Sequence, residues 1–238
     1  MLNLRWPGPD ADVLRERARQ LLLAPGRAVL GIAGAPASGK STLTAELALE
    51  LVAEHPGAVA VVGMDAFHLG HRVLEQRGLV GVKGAPHTFD ARGYVALLAR
   101  IRSSAETVYA PEFHREIEDS IAHVVEVGPE VGLVVTEGNY LLLPEPPWDA
   151  VRPLLDEAWF VHLEDDERRR RMVLRHQRHG HSPADARART FGSDEANAVL
   201  VNRSGRGDGP ATGPDVWVEH VVGEPGLPGA AVSTGGPR

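Results

Sequence analysis

The segment Gly34-Ala35-Pro36-Ala37-Ser38-Gly39-Lys40-Ser41 constrains this chain more than any other, because it joins two different hydrophobic periods. Before it, Ala28 to Ala33 (Ala-Val-Leu-Gly-Ile-Ala) is a short unbroken apolar run, the pattern of a strand buried on both faces. After it, Leu43, Leu47, Leu51 and Val52 recur at helical spacing across Ser41 to His55. Strand, glycine turn and helix, in that order, are the context the pattern G-x-x-x-x-G-K-[ST] requires. The backbone N–H groups of such a loop, with a helix N-terminus behind them, converge on phosphate oxygens. Gly34, Ala35, Ala37, Ser38, Gly39, Lys40, Ser41 and Thr42 are the expected nucleotide contacts, with ATP as the nucleotide and the Ser41 hydroxyl on Mg²⁺. Lys40 is one of only two lysines against 23 arginines. A compact ammonium folds back over the loop to the β- and γ-phosphates in a way a planar guanidinium does not, so its use here points to chemistry.

The rest of the composition narrows the class. At 238 residues and 43% hydrophobic content, the chain can bury one large α/β core, and residues 1–222 are expected to form one domain. There is no cysteine, hence no disulfide scaffold and no thiolate metal site. No apolar run approaches a membrane span and the N-terminus lacks a signal-peptide core, so a cytoplasmic location away from membranes is expected. A net charge of −7 argues against broad nucleic-acid binding.

Along the chain, strands are expected at Ala58 to Met64, Ile121 to Val127, Val131 to Thr136, Ala158 to Leu163 and Val216 to Val222. Helices are expected at Asp12 to Leu23, Ala91 to Arg102, Trp148 to Leu155 and Asp165 to His179, with another at Ala184 to Val201 broken near Gly192. Leu69 to Asp90 reads as a long functional loop with room for one short helix, Tyr109 to Ser120 as irregular, and 223–238 as a disordered tail. Strands alternating with helices imply an α/β fold of three layers, a mostly parallel sheet with helices on both faces.

In such a sheet, ligands collect at the carboxyl ends of strands. Three of the expected strands end there in suggestive residues: the glycine loop, Asp65 and Glu137. Phosphoryl transfer needs a nucleotide cradle, a carboxylate near Mg²⁺ and a carboxylate that orients and deprotonates the attacking hydroxyl. Glu137 is placed for the metal together with Ser41, and Asp65 for the base. In Glu167-Arg168-Arg169-Arg170-Arg171-Met172-Val173-Leu174-Arg175, the residues Arg168, Arg171 and Arg175 fall on one helix face. That face can close as an arginine lid, about residues 165–192, with Arg171 and Arg175 against the transferring phosphoryl group. His176, His179 and His181 match no metal-ligand spacing.

These features resemble the P-loop kinase group that includes uridine kinase, phosphoribulokinase and type I pantothenate kinase. Lys83-Gly84-Ala85-Pro86 is similar to a lysine-glycine-x-proline segment of the pantothenate kinases. The strings Met64-Asp65-Ala66-Phe67-His68-Leu69, Tyr109-Ala110-Pro111-Glu112-Phe113-His114-Arg115 and Glu137-Gly138-Asn139-Tyr140-Leu141-Leu142 resemble those of bacterial nucleoside/nucleotide kinase family proteins associated with fructose transport. The likeness runs from about Leu30 to Val201. It implies the P-loop NTPase fold and substrate contacts from Lys83, Tyr109, Arg115, Asn139 and Tyr140. Ala66 stands where that branch usually has glycine and His114 where it has aspartate, and His114 is the position at which acceptor preference would change.

The expected activity is an ATP- and Mg²⁺-dependent kinase acting on an alcohol of a nucleoside, sugar or pantothenate-like molecule. A catalytically degenerate ATP-binding regulator and a nucleoside monophosphate kinase are the alternatives, while a GTPase is disfavoured by the lack of an N-K-x-D segment. The expected partner is a small-molecule acceptor, with no nucleic acid or membrane and a homodimer left open.

Overall fold

A six-stranded sheet built around the apolar run at residue 28 organises the molecule. The computed structural model describes residues 1–207 and 212–222, so the expected tail at 223–238 lies outside the described residues. Its strands are β1 (Leu2–Trp6), β2 (Ala28–Gly34), β3 (Val59–Gly63), β6 (Leu133–Gly138), β7 (Glu157–His162) and β8 (Val216–His220). Their order is β1-β8-β7-β2-β6-β3, and every neighbouring pair is parallel. The intervening β4 (Val108–His114) and β5 (Asp119–Val127) form a separate antiparallel hairpin.

β2 is central and buried along its whole length, and its alternate residues feed two cores. Ala28, Leu30 and Ile32 face α1 (Ala11–Leu23) and α2 (Lys40–Glu54), meeting Leu14, Ala18 and Leu22 from the first and Leu43, Leu47 and Leu51 from the second. Val29 and Ala33 face the opposite layer, where α4 (Ala91–Ser103) brings Tyr94, Leu98 and Ile101 and α7 (Glu195–Gly205) brings Ala198 and Val201. Three layers result, as the alternating pattern predicts. Each buried leucine contributes about 1.5–3 kcal/mol, so the phosphate loop hangs from the best-anchored strand.

Three local expectations are corrected. Trp148 to Leu155 is not an α-helix but two 3₁₀ turns, Trp148–Ala150 and Arg152–Leu154. Pro153 removes an N–H and disfavours the α conformation at Arg152, which caps helix growth there. Residues 108–114, expected to be irregular from Tyr109 onward, form β4. The ladder shifts register between Ala110 and Glu112, so Pro111, which lacks a donor, sits at a bulge where no ladder hydrogen bond is needed. β1 was not expected as a strand, and it pairs with β8 to close one edge.

The segment expected as a lid, about 165–192, folds as α5 (Asp165–Arg178), α6 (Pro183–Arg189) and a π turn at Thr190–Asp194 that leads into α7. Gly192 breaks helical geometry inside that turn (φ −100°, ψ −105°), at the predicted position. The loop after β3 holds the short α3 (His71–Gln76).

Candidate active site

β2, β6 and β3 are consecutive in the sheet, so the residues that follow their carboxyl ends meet at one crevice. Gly63 pairs with Glu137, placing that acid beside the 3₁₀ turn Met64–Phe67 that carries Asp65. A buried hydroxyl pair fixes the two strands just below. Thr136 Oγ1 donates to the Val62 carbonyl at 2.6 Å, and because its one proton is thus used, Tyr94 donates to Thr136 Oγ1 at 2.5 Å. Gly138 permits the close approach: a Cβ there would lie 2.7 Å from Met64 Sδ. Ala66, in place of glycine, is buried and has no left-handed φ, so alanine fits this turn without backbone strain.

The phosphate loop has the geometry its sequence predicts. Gly39 has φ +103° and caps α2, a conformation that favours glycine. Ala37 has φ +66°, a left-handed residue held inside the cradle at a cost of about 1–2 kcal/mol. Lys40 and Ser41 open α2, whose first N–H groups have no partner within the helix.

Ser41 Oγ lies 3.1 Å from both carboxylate oxygens of Glu137. Lys40 is half-buried, and the loss of water around its ammonium lowers its pKa. The Glu137 and Asp65 carboxylates oppose this, while Arg175 and Arg115 reinforce it. Burial raises the Glu137 carboxyl, against the attraction of Lys40. Two cations and two carboxylates thus surround Lys40 in a poorly hydrated space, where charge is most responsive to a bound phosphate.

A cavity of about 500 Å³ separates the loop from α5. Ala37, Gly39, Lys40, Ser41 and Thr42 form its floor, and Arg170, Arg171, Arg175 and Arg178 line the other side. Arg168, grouped with the lid face by its spacing, instead turns inward. It is 1% exposed and pairs with Asp165 at 3.0 Å and Glu195 at 2.6 Å. Arg171 is held by Glu167 at 2.8 Å. Arg175 has no ion-pair partner among the described residues; burial and the nearby Arg115 lower its pKa, and Asp65, Asp194 and Glu137 act against them. Among the arginines on this wall, Arg170 and Arg171 are held by Glu167, whereas Arg175 and Arg178 have no ion-pair partner among the described residues, and Arg175 is the one drawn in beside Lys40, Asp65 and Glu137.

On the other side of Asp65 lie several of the expected acceptor residues. Arg115 Nη2 approaches Asp65 Oδ2 at 3.4 Å. Lys83 Nζ donates to the Glu118 carbonyl at 2.8 Å, and Lys83 and Arg115 stand 5.3 and 5.9 Å from the Phe113 ring centre. His114, on the same hairpin, is 3.3 Å from Glu112 but its buried Nε2 makes no aligned hydrogen bond. Asn139 Oδ1 is likewise buried and has no partner among the described residues. Tyr140 is fully buried, and its hydroxyl donates to the Gly84 carbonyl at 2.5 Å. Its role in the structure is to hold the Lys83 segment, and burial raises its phenol pKa. Tyr109 is not brought to this cluster: it is 47% exposed and pairs with Glu126, about 17 Å of strand from His114.

Two histidines outside the expected site set also contribute. His68 donates from Nδ1 to the Asp65 carbonyl at 2.8 Å and its ring lies 3.9 Å from that of Phe89. His220, at the end of β8, reaches the Ser38 carbonyl of the phosphate loop. The second contact spans 182 residues, which no sequence window covers.

Fold and site together define a P-loop kinase. No family model matches the chain. It is 33% identical over 215 residues to a Schizosaccharomyces pombe protein provisionally named a uridine kinase, covering 85% of this chain and 91% of that protein. A Silicibacter crystal structure provisionally named a fructose transport system kinase superposes with a TM-score of 0.75 at 38% identity, covering 88% of this chain and 99% of that one. A pantothenate kinase from Nocardioides is 35% identical over 119 residues, 49% of this chain and 36% of that enzyme. The chain belongs to the P-loop kinase group of the uridine and pantothenate kinases. It is an ATP-dependent phosphotransferase for an alcohol group of a small molecule. No helix among the described residues is long and apolar enough to cross a membrane.

Proposed function

We propose that phosphoryl transfer takes place between the phosphate loop and Asp65, with Lys83, Arg115, His114 and Asn139 on the acceptor side. The observation that carries this reading is the meeting of Lys40, Glu137 and Asp65 at three adjacent strand ends beneath Arg175. Loop N–H groups and Lys40 hold the β- and γ-phosphates. Asp65 orients the acceptor hydroxyl and takes its proton as the new oxygen–phosphorus bond forms and the bond to the β-phosphate oxygen breaks, leaving ADP. Arg115 leaves Asp65 as the acceptor enters, which frees the base. Arg175 stabilises charge on the transferring group and, with Arg171, walls it off from water.

The Ser41 hydroxyl and the Glu137 carboxylate, 3.1 Å apart, are a hard-oxygen pair that fits Mg²⁺, directly or through water. Bound there, the ion would supply positive charge that neutralises what develops on the phosphates. The names of the relatives point to a nucleoside, a sugar or pantothenate as acceptor, and all three present an alcohol.

ADP release measured with nucleosides, pentoses, fructose, pantothenate and a nucleoside monophosphate should show stimulation by one acceptor. Asp65→Asn should bind ATP normally and lose about 100-fold or more in kcat with that acceptor. A variant within a few fold of wild type would remove Asp65 from the role of base.

A further inference from the structure

His220 occupies a place that the phosphate-transfer chemistry above does not use. It is the last residue of β8, and its ring is wedged between three parts of the molecule. Its Nδ1 is within hydrogen-bond reach of the Ser38 carbonyl, 2.5 Å away; a carbonyl only accepts, so Nδ1 carries the proton. The neutral ring then presents a lone pair at Nε2, and Arg171 Nη1 lies 3.4 Å from it. Trp6 packs edge-on at 4.8 Å, and its indole N–H donates to Glu46 on α2 at 3.2 Å. Any side chain at position 39 would run into the His220 ring, so the ring lies directly against the loop at Gly39.

We infer that His220 is a positioning residue: it props the phosphate loop against the lid helix, so that Arg171 and the Ser38–Gly39 backbone keep a fixed spacing across the nucleotide cavity. One end of the prop is a donor to the loop, the other an acceptor from the lid. Among the described residues Arg171 is otherwise tied only to Glu167 of its own helix, so His220 is its link to the sheet. Deleting either end would loosen ATP without touching the acceptor side.

The prop is sensitive to protonation. The charged groups facing the ring are Arg171 and Glu167 from α5 and Glu46 from α2. Burial and Arg171 lower the His220 pKa, against the Ser38 carbonyl and the two acids. At neutral pH the ring is therefore neutral and the prop intact. A second proton would abolish the acceptor at Nε2 and set a cation beside the Arg171 guanidinium.

The inference rests on ATP being held by the phosphate loop, and ATP titrated into the unmodified full chain at pH 7.5 tests that separately. His220→Asn places an amide donor where Nδ1 stands and removes the Nε2 acceptor; His220→Gln extends to the Nε2 position and gives up the loop contact. Calorimetric titration with ATP at pH 7.5 should show a loss of about 3- to 10-fold in affinity for each variant. In the unmodified chain ATP affinity should fall further between pH 7.5 and 5.5 than in His220→Asn. In an Arg171→Gln background, His220→Asn should cost almost nothing more, because the link is already broken. Equal affinity and an unchanged pH profile in His220→Asn would overturn the inference, and so would strict additivity with Arg171→Gln. Should His220→Asn fail to fold, the same cycle with His220→Gln decides.

Discussion

Glu137 is where the needs of the site and of the fold conflict. Burial raises its carboxyl pKa even with Lys40 beside it, so the folded chain holds this proton more tightly than the unfolded chain does. Ionised Glu137 therefore costs stability at pH values above its folded pKa, and the cost disappears as the pH falls through that pKa. At pH 7 the cost is in force. Glu137→Gln keeps the shape and removes the charge, so it should raise the Tm of the ligand-free chain by about 2–4 °C while Mg²⁺-dependent turnover is lost. Scanning calorimetry at pH 7 checks this, and a lower Tm would mean that ionised Glu137 is a net stabilising partner of Lys40. At this scale the sequence shows some of the cluster and hides the rest. Lys40, Asp65 and Glu137 are legible because each ends an apolar run, a local signal. His220 and the Tyr94–Thr136 pair are not, since each acquires its partner only when segments far apart in the chain come together. Arg168 misleads for the same reason: its spacing with Arg171 and Arg175 is that of a shared face, but Glu195 on another helix draws it inward.

That inward turn ties α5 to α7. Arg168 is 1% exposed, and Glu195 of α7 holds both it and Arg169, at 2.6 and 2.7 Å. Hydrogen bonds from Arg169 and Arg168 pull the Glu195 carboxyl down to about 2. A depressed carboxylate contributes its stability above the ordinary carboxylate range, and that contribution is lost as the pH falls from there towards 2. Removing the acid is more damaging than titrating it, because a buried guanidinium is then left with only Asp165. Glu195→Ala should cost about 3 kcal/mol in urea unfolding at pH 7. A loss below about 0.5 kcal/mol would place the α5–α7 junction among surface ion pairs of little weight. Most elements were legible from periodicity, including the break at Gly192. The exceptions have physical causes: β4 hides its period behind a proline at a bulge, the segment at 148–155 is stopped by Pro153, and β1 takes its place in the sheet only by pairing with β8, more than 200 residues away in the chain.

For the whole molecule, the cavity between the phosphate loop and α5 is proposed as the nucleotide site. Its floor follows β2, the strand that feeds both core clusters, and its other wall is a helix that enters directly from β7, the neighbour of β2. A ligand held by both walls stabilises the sheet and the lid together, so its binding should register in global unfolding. At a concentration of one hundred times Kd, a ligand specific to the folded state adds about 2.7 kcal/mol. For a chain of this size that corresponds to a Tm increase of about 5–10 °C with Mg²⁺ and ATP. Lys40→Met removes the ammonium without leaving a cavity, so it should unfold near the wild-type temperature without ATP and show little of the increase with it. Fluorimetric melting curves with ATP, with ADP and with neither separate the contributions, because Lys40 is expected on the β- and γ-phosphates and its loss should cost ATP more than ADP. If Lys40→Met kept the full ATP-dependent shift, the nucleotide would be held elsewhere, and the cavity between the loop and α5 would not be the donor site.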